Sequence, residues 1–326
     1  MSEAAATADR AARARPRLGV SSCLLGEPVR FDGGHSRSRL LTGQLGQYVD
    51  WVPYCPELEI GLGAPRETLR LTADGRLVSW TWSGAKDRTL AEAALPLPAG
   101  LDGYVFKAKS PSCGIRGVPR YAPSGQPIDH AGRGVFARRV MDRFPLLPVE
   151  DEGRLNNPVL RDRFLERVFA FARLRELLRS PWEPRDLVSF HARHKLQLLA
   201  HDPARSRIAG QVVAAAGRAS REATAVAYTG LLQAALTTMT SRGRHANVLH
   251  HAFGRITREL DPCRRNDLLA RIESYRRGAD PLSVPVALLG HYASDGKLPW
   301  LAAQTYLEPF PAALRLRAGR ARTGGG

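Results

Sequence analysis

The sequence predicts two domains of different class: an α/β N-terminal domain with a mainly parallel sheet, followed by an all-α C-terminal domain. Two patterns carry that reading. In the first half, short apolar runs alternate with turns and helical stretches, as expected of strands joined by crossovers. In the second half, apolar residues recur at helical spacing over long stretches, with Arg and Glu on the other faces. A chain of 326 residues also exceeds the usual size of one domain.

Taken in order, residues 1–15 read as a disordered lead-in. RLGVSS (17–22) and DWVPY (50–54) are strands, and each leads into a cysteine. LVSWTW (77–82) is a strand after the Asp74–Gly75 turn, and GYVFKAK (103–109) is a strand leading into a third cysteine. SRSRLLTGQLGQYV (36–49) and RTLAEAAL (88–95) have helical character. The stretch 134–158 reads as a helix, a Pro-rich connection and an exposed turn, so the boundary falls near residues 150–160, giving domains of 16–152 and 153–315. Helices are then expected over 160–179, 183–201, 206–217, 220–236, 244–260 and 265–278, with Asp186 as an N-cap. A Pro-interrupted helix follows in DPLSVPVALLGHYASDG, and 316–326 reads as a disordered tail.

Composition narrows the class. No window of eighteen uninterrupted apolar residues is present, so a membrane span is not expected. The first residues, MSEAAATADRAARARPR, lack the apolar core of a secretion signal. Four cysteines in so long a chain do not make a disulfide framework, and a reducing cytoplasm is the expected compartment. The net charge is +17. Residues 151–326 hold 28 of the 48 Lys and Arg but 16 of the 31 Asp and Glu, so +12 of it falls on the second half. A basic surface attracts polyanions such as RNA. An Arg-biased composition, with five Lys among the 48, gives the same excess without any such partner. No obligate protein partner is evident.

Three cysteine segments carry the chemistry: SSCLLG around Cys23, YCPELE around Cys55 and KSPSCG around Cys113. Each sits just past a predicted strand, and ligands of an α/β sheet bind beyond the carboxyl ends of its strands. Three loops thus each offer one thiolate to a shared site. A closed structural metal site wants four ligands; three leave one position open for substrate, as in a catalytic metal or iron–sulfur centre. The competing reading is three buried, unpaired core cysteines. Cys263, in LDPCRRND, is an incidental cysteine rather than a fourth ligand. Glu57 lies two residues after Cys55, and a carboxylate beside such a centre is a candidate acid or base. Asp32 sits on the RFDGG turn, and Ser110 and Ser112 precede Cys113. His191, His194 and His201 recur at helical spacing, with His250 and His251 beyond them. HARHK has no acidic partner of the zinc-hydrolase kind, so these read as packing or phosphate-contacting side chains.

VSSCLLGEPVRFDGG, YCPELEIGLGAPRE and FKAKSPSCG together resemble the thiouracil desulfidase family. GRLNNPVLRDRFLERVFAF, FHARHKLQLLAHDP, IESYRRGADPLSVPVALLGHY and YLEPFP resemble a helical domain of unknown function often fused to it. The combination is similar to bacterial desulfidases acting on 4-thiouridine in transfer RNA. That resemblance implies a [4Fe–4S] cluster held by Cys23, Cys55 and Cys113 with one open iron. It implies Glu57 and Ser112 as the catalytic polar pair, and Asp32 as a further acidic position. Phe31 departs from the pattern, where Tyr is expected.

The implied reaction is hydrolytic and non-redox. The thiocarbonyl sulfur binds the open iron, water activated by Glu57 attacks the carbon, Ser112 hydrogen-bonds the base, and sulfide leaves. Transfer RNA is then the expected partner, gripped through Arg161, Arg173, Arg193 and Lys195. Two alternatives remain: desulfuration of free thiouracil, and a non-enzymatic iron–sulfur or zinc protein that binds nucleic acid.

Overall fold

A computed structural model describes residues 15–81, 84–179, 181–295 and 298–315. The expectations for residues 1–14, Trp82 and the 316–326 tail lie outside them. The described residues divide into two compact bodies, 15–172 with 311–315, and 173–310.

The first body holds nine strands: β1 (Arg17–Ser21), β2 (Asp50–Tyr54), β3 (Leu69–Thr72), β4 (Leu77–Thr81), β5 (Gly84–Asp87), β6 (Gly103–Phe106), β7 (Val118–Tyr121), β8 (Pro127–Gly132) and β9 (Val149–Asp151). Four form a sheet in the order β2-β1-β6-β9, with every pairing parallel. This is the expected parallel sheet. Its central strand β6 is buried along its whole length, which suits a run with no polar alternation. Tyr104 and Phe106 of β6 stack at 4.0 Å between ring centroids, and Phe136 meets both edge-on.

The second sheet, β5-β4-β3-β7-β8, is antiparallel except where β3 pairs with β7. Of its strands only β4 is read from the sequence. GAKD and PIDHAG are short and poor in β-branched or aromatic residues, so their strand character comes from pairing rather than propensity. The expected helix over 36–49 shrinks to two short turns, Leu40–Gln44 and Leu45–Gln47, in a segment carrying Gly43 and Gly46. Four α-helices follow in chain order: α1 (Pro56–Glu59), α2 (Thr89–Ala93), α3 (Val135–Arg143) and α4 (Pro158–Arg179), the last running past the division at Ala172.

The second body is helical throughout: α5 (Pro184–His201), α6 (Pro203–Ala214), α7 (Arg221–Thr237), α8 (Arg242–Ile256), α9 (Pro262–Arg277), α10 (Ser283–Asp295) and α11 (Pro299–Ala302). Asp202, Ser220, Ser241 and Asp261 cap four of these by accepting from the backbone N–H three residues on. Asp186 is not the cap of α5. Glu183 is, and Asp186 closes the reciprocal capping box by accepting from the Glu183 N–H at 2.8 Å. Leu196, Val248, Leu249, Leu268, Ile272, Leu289 and Leu301 form the centre of the core. Among the described residues no helix is long and apolar enough to cross a membrane.

Candidate functional site

β2, β1 and β6 are neighbours in the parallel sheet, so their carboxyl ends lie side by side. Cys23 follows β1 in a single 3₁₀ turn, Ser22–Leu24. Cys55 follows β2 and precedes α1, whose first residue is Pro56. Cys113 lies in the loop after β6. All three line one cavity of about 370 Å³, within the range of small-ligand sites. The crevice past the strand ends is thus where the three cysteine segments meet.

The Cys113 loop is pinned from two sides. Ser110 Oγ accepts from the Ser112 and Cys113 N–H groups at 3.2 and 3.1 Å. The amino end of α3 then donates to the loop carbonyls: Gly134 N–H to Gly114 O at 2.7 Å, Val135 N–H to Pro111 O at 3.1 Å and Ala137 N–H to Ser112 O at 3.1 Å. These are donors that a helix start leaves without intrahelical partners. The approach is close enough to demand glycine: a Cβ on Gly134 would lie 2.4 Å from Ser112 O. From β1, Ser21 Oγ accepts the Lys107 N–H at 3.0 Å, which ties the exit of β6 to the end of β1.

The three thiols influence one another electrostatically, as groups around one cavity must. Burial pushes Cys23 up to about 11, although Lys107 pulls the other way. Burial raises Cys55, and it raises Cys113 well above the usual thiol range, with Glu57 adding to the rise. Without a cation they are neutral thiols.

Glu57 lines the cavity, and Arg66 holds it. Arg66 Nε donates to Glu57 Oε2 at 3.0 Å and Nη2 donates to the same oxygen, while Nη1 donates to Val29 O and Gly63 O, both at 2.9 Å. The Arg66 side chain is 6% exposed, so this is a buried, multiply bonded ion pair. Lys107, also in the lining, pairs with Glu152, which accepts the Ala108 N–H at 2.7 Å as well. Arg30, Phe31, Tyr54 and Lys109 complete the cationic and aromatic lining. Lys109 has φ +61°, a left-handed backbone unusual for a side chain that is not Gly.

The other expected site residues land differently. Ser112 does not line the cavity; it is 0% exposed, and its Oγ has no hydrogen-bond partner. Asp32 stays outside the cavity, accepting the Gly34 N–H at 3.0 Å and pairing with Arg30. The Gly34 N–H and then Arg30 hold its carboxyl below the usual range. Arg66, Lys107, Lys109 and Arg30 are the cavity cations that the sequence reading missed. Lys107 and Lys109 stood in view, two apart on the exit of β6. Arg66 had no local signal, because its partner lies nine residues away across a turn.

Among the described residues no group of three His, Cys, Asp or Glu side chains converges on one ion. The cysteines surround the cavity instead. An iron–sulfur cluster takes each thiolate on a different iron, so ligands spread around a cavity suit it. The donor set fits in chemistry too: three soft sulfurs, with Lys107 and Arg30 acting on Cys23 and Arg66 on Cys55 to offset negative charge. The orphaned Ser112 hydroxyl, beside Cys113, is a buried polar atom with no partner in the protein.

The cations expected to grip a polyanion need correction. Arg161 and Arg173 are 1% and 8% exposed and cannot present a guanidinium to a surface ligand; Arg173 donates to Pro309 O. Both lie on α4, whose basic residues are partly turned into packing. Arg193 is half-buried, and Lys195 is exposed. Lys195 and Arg255 both act on the exposed His251, and Arg255 lies over the Trp300 ring at 4.7 Å. His191, His194 and His201 spend their Nδ1 atoms on Tyr228 Oη, Phe190 O and Thr238 O, each within 3.1 Å.

Residues 18–152 match the family described as 2-thiouracil desulfurase, and residues 195–311 match DUF1722, a protein family of unknown function. A relative from Escherichia coli (strain K12), described as uncharacterized protein YbgA, is 32% identical over 157 residues, covering 48% of this chain and 93% of that one. Among solved structures, the [4Fe-4S]-dependent thiouracil desulfidase TudS is 29% identical, covering 45% of this chain and 97% of that one, with a TM-score of 0.36.

Proposed function

We propose, from the premise that this chain belongs to the 2-thiouracil desulfurase family and continues into a DUF1722 domain, that it removes sulfur from 4-thiouridine in transfer RNA, leaving uridine and sulfide. The observation that carries the reading is the convergence of Cys23, Cys55, Cys113 and the Arg66-held Glu57 on one cavity.

Cys23, Cys55 and Cys113 are the residues that would hold a [4Fe–4S] cluster. When bound, such a cluster supplies a thiophilic Lewis acid that favours a thiocarbonyl over the carbonyl of ordinary uracil. Glu57 takes a proton from water as the oxygen adds to the thiolated carbon. It returns that proton as the C–S bond breaks, so water and thiocarbonyl become carbonyl and hydrogen sulfide with no net redox change. Arg66 keeps the Glu57 carboxylate aligned through this exchange. Ser112, one residue from Cys113, carries an unused hydroxyl that is walled off from the cavity, so the expected direct contact to the base falls to the residues that line it.

The second body supplies cations for a phosphodiester backbone. Lys195 and Arg255 are exposed cations that both act on His251, with the Trp300 ring under Arg255. Phosphate contacts of this kind supply affinity without sequence choice. A base inside folded RNA has to be splayed out to reach a cavity of this size.

The test is anaerobic reconstitution with iron and sulfide, then incubation with transfer RNA containing 4-thiouridine. Nucleoside analysis should show loss of 4-thiouridine and gain of uridine. No loss would sink the RNA reading. The second reading, desulfuration of free thiouracil, is favoured by the name of the matched family. Turnover of the free base with RNA left intact would establish it instead. Tight cluster-dependent RNA binding with no turnover of either substrate would point to a non-enzymatic nucleic-acid-binding protein.

A further inference from the structure

Phe136 is a buried ring that the chemistry above does not use. It lies in the first turn of α3 and is 0% exposed. It stacks on Tyr54, with ring centroids 5.0 Å apart and planes 18° from parallel. It crosses Tyr104 at 6.1 Å and Phe106 at 6.2 Å in edge-to-face geometry. Both arrangements are preferred by aromatic pairs and hold rings in place more firmly than area burial alone. Cys113 and Ile115 belong to the same buried cluster as this ring.

The ring stands between two cysteine segments. Tyr54 ends β2, lines the cavity and immediately precedes Cys55. Its hydroxyl donates to Pro96 O at 3.1 Å, so the side chain is held at its tip as well as through the stack. On the other side, Gly134, Val135 and Ala137 give their N–H groups to the Cys113 loop. Phe136 sits between those donors. One turn of helix therefore holds the Cys113 loop by its backbone and the Cys55 segment by the Phe136 ring. Cys23 is fixed by other means: its carbonyl accepts the Ser36 N–H at 2.9 Å and the Gly26 N–H at 3.3 Å.

We propose that Phe136 is a positioning residue that sets the spacing between the Cys55 and Cys113 loops and so lets both thiolates meet one cluster. This rests on the reading of the three cysteines as cluster ligands. A cluster has a fixed size, and the segments that bind it must be locked by the packing behind them. For two of the three segments Phe136 is shared packing. Leucine in its place keeps the core apolar but removes the stack and the crossed pairs. The Cys55 and Cys113 loops should then open more often, while the Cys23 turn keeps its own hydrogen bonds.

The experiment uses the full metal-free chain and reads alkylation of each cysteine by peptide mass mapping under native conditions. Phe136→Leu should speed labelling of Cys55 and Cys113 by about tenfold and leave Cys23 within about twofold. Val140→Ala, one turn further along α3 in the same core, is the control. It should lower the melting temperature and leave all three rates within about twofold of wild type. Tyr54→Leu removes the stack from its partly exposed side and keeps the test decisive if Phe136→Leu folds poorly. Cys55 labelling should rise by a similar factor, and the double variant should add nothing further there. After anaerobic reconstitution, Phe136→Leu and Tyr54→Leu should each bind less iron and sulfide than Val140→Ala. Equal acceleration at all three cysteines, no acceleration at Cys55 and Cys113, or full iron loading in Phe136→Leu overturns the proposal. A wild type that takes up no iron would sink the cluster reading instead, and the labelling rates would still decide whether Phe136 ties the two loops together.

Discussion

Arg66 holds Glu57 in place with one edge of its guanidinium and grips the carbonyls of Val29 and Gly63 with the remaining nitrogen. The carboxylate therefore lines the cavity in a position set by two loops rather than by its own rotamer preference. Arg66→Ala leaves a mostly buried carboxylate without its cation, which typically costs about 3–5 kcal/mol. Urea unfolding should show a loss of that order. Arg66→Lys keeps a charge but loses the fork, and turnover should fall without full loss of stability. An unchanged denaturation midpoint in Arg66→Ala would mean that the pair is ornamental.

Glu57→Gln separates chemistry from assembly. As a general base, Glu57 is expected to contribute about 10²–10⁴ in rate. The variant should lose that much turnover while retaining iron content and visible absorption. Loss of the cluster itself would reassign Glu57 to a structural role.

The thiols should sort by reactivity. Thiolate is the nucleophile, and burial raises Cys23, Cys55 and Cys113 above their ordinary range. At about pH 8 an alkylating agent should label the exposed Cys263 first, with the other three lagging, as read by peptide mass mapping of metal-free protein. Cys23→Ser, Cys55→Ser and Cys113→Ser should each reduce bound iron and sulfide, whereas Cys263→Ser should not. Loss of cluster in the Cys263 variant alone would contradict the three-loop assignment.

Gly134→Ala tests the pin on the third cysteine loop. The added methyl meets Ser112 O at 2.4 Å, and backbone cannot yield as a flexible side chain does. A destabilisation of about 1–3 kcal/mol is expected from such overpacking, together with weaker iron loading although no ligand is removed. Wild-type loading with wild-type melting would show that the loop is free to shift.

The polyanion surface makes a contrast of two kinds of arginine. Lys195→Ala and Arg255→Ala should each weaken transfer RNA binding and lower the slope of log affinity against log salt by about one. Arg161→Ala should lower the melting temperature and leave that slope unchanged, because its guanidinium is buried. Filter binding across a salt series reads both, and equal slopes for all three variants would refute this surface.

Much of the site was readable from residue order. Cysteines just past RLGVSS, DWVPY and GYVFKAK predict loops at the carboxyl edge of a parallel sheet, and the pairing β2-β1-β6 puts them there. Other features had no local trace. In the second sheet β5 and β8 pair although they have little intrinsic strand preference. The Arg66–Glu57 pair needs the turn between them, and the Phe136–Tyr54 stack needs α3 to pack beside the end of β2. Conversely, periodicity marked Arg161 and Arg173 as an outer face of α4, and packing turned them inward.

By itself the sequence determined the two fold classes, the three-thiol chemistry and the basic excess of the second half, since strand runs, helical periodicity and charge are local or additive properties. The tertiary structure decided which charges face the cavity, which cations reach the surface, and that Ser112 is walled in while Glu57 is presented. Those outcomes depend on burial and on partners distant in the chain, and neither is written in any one segment.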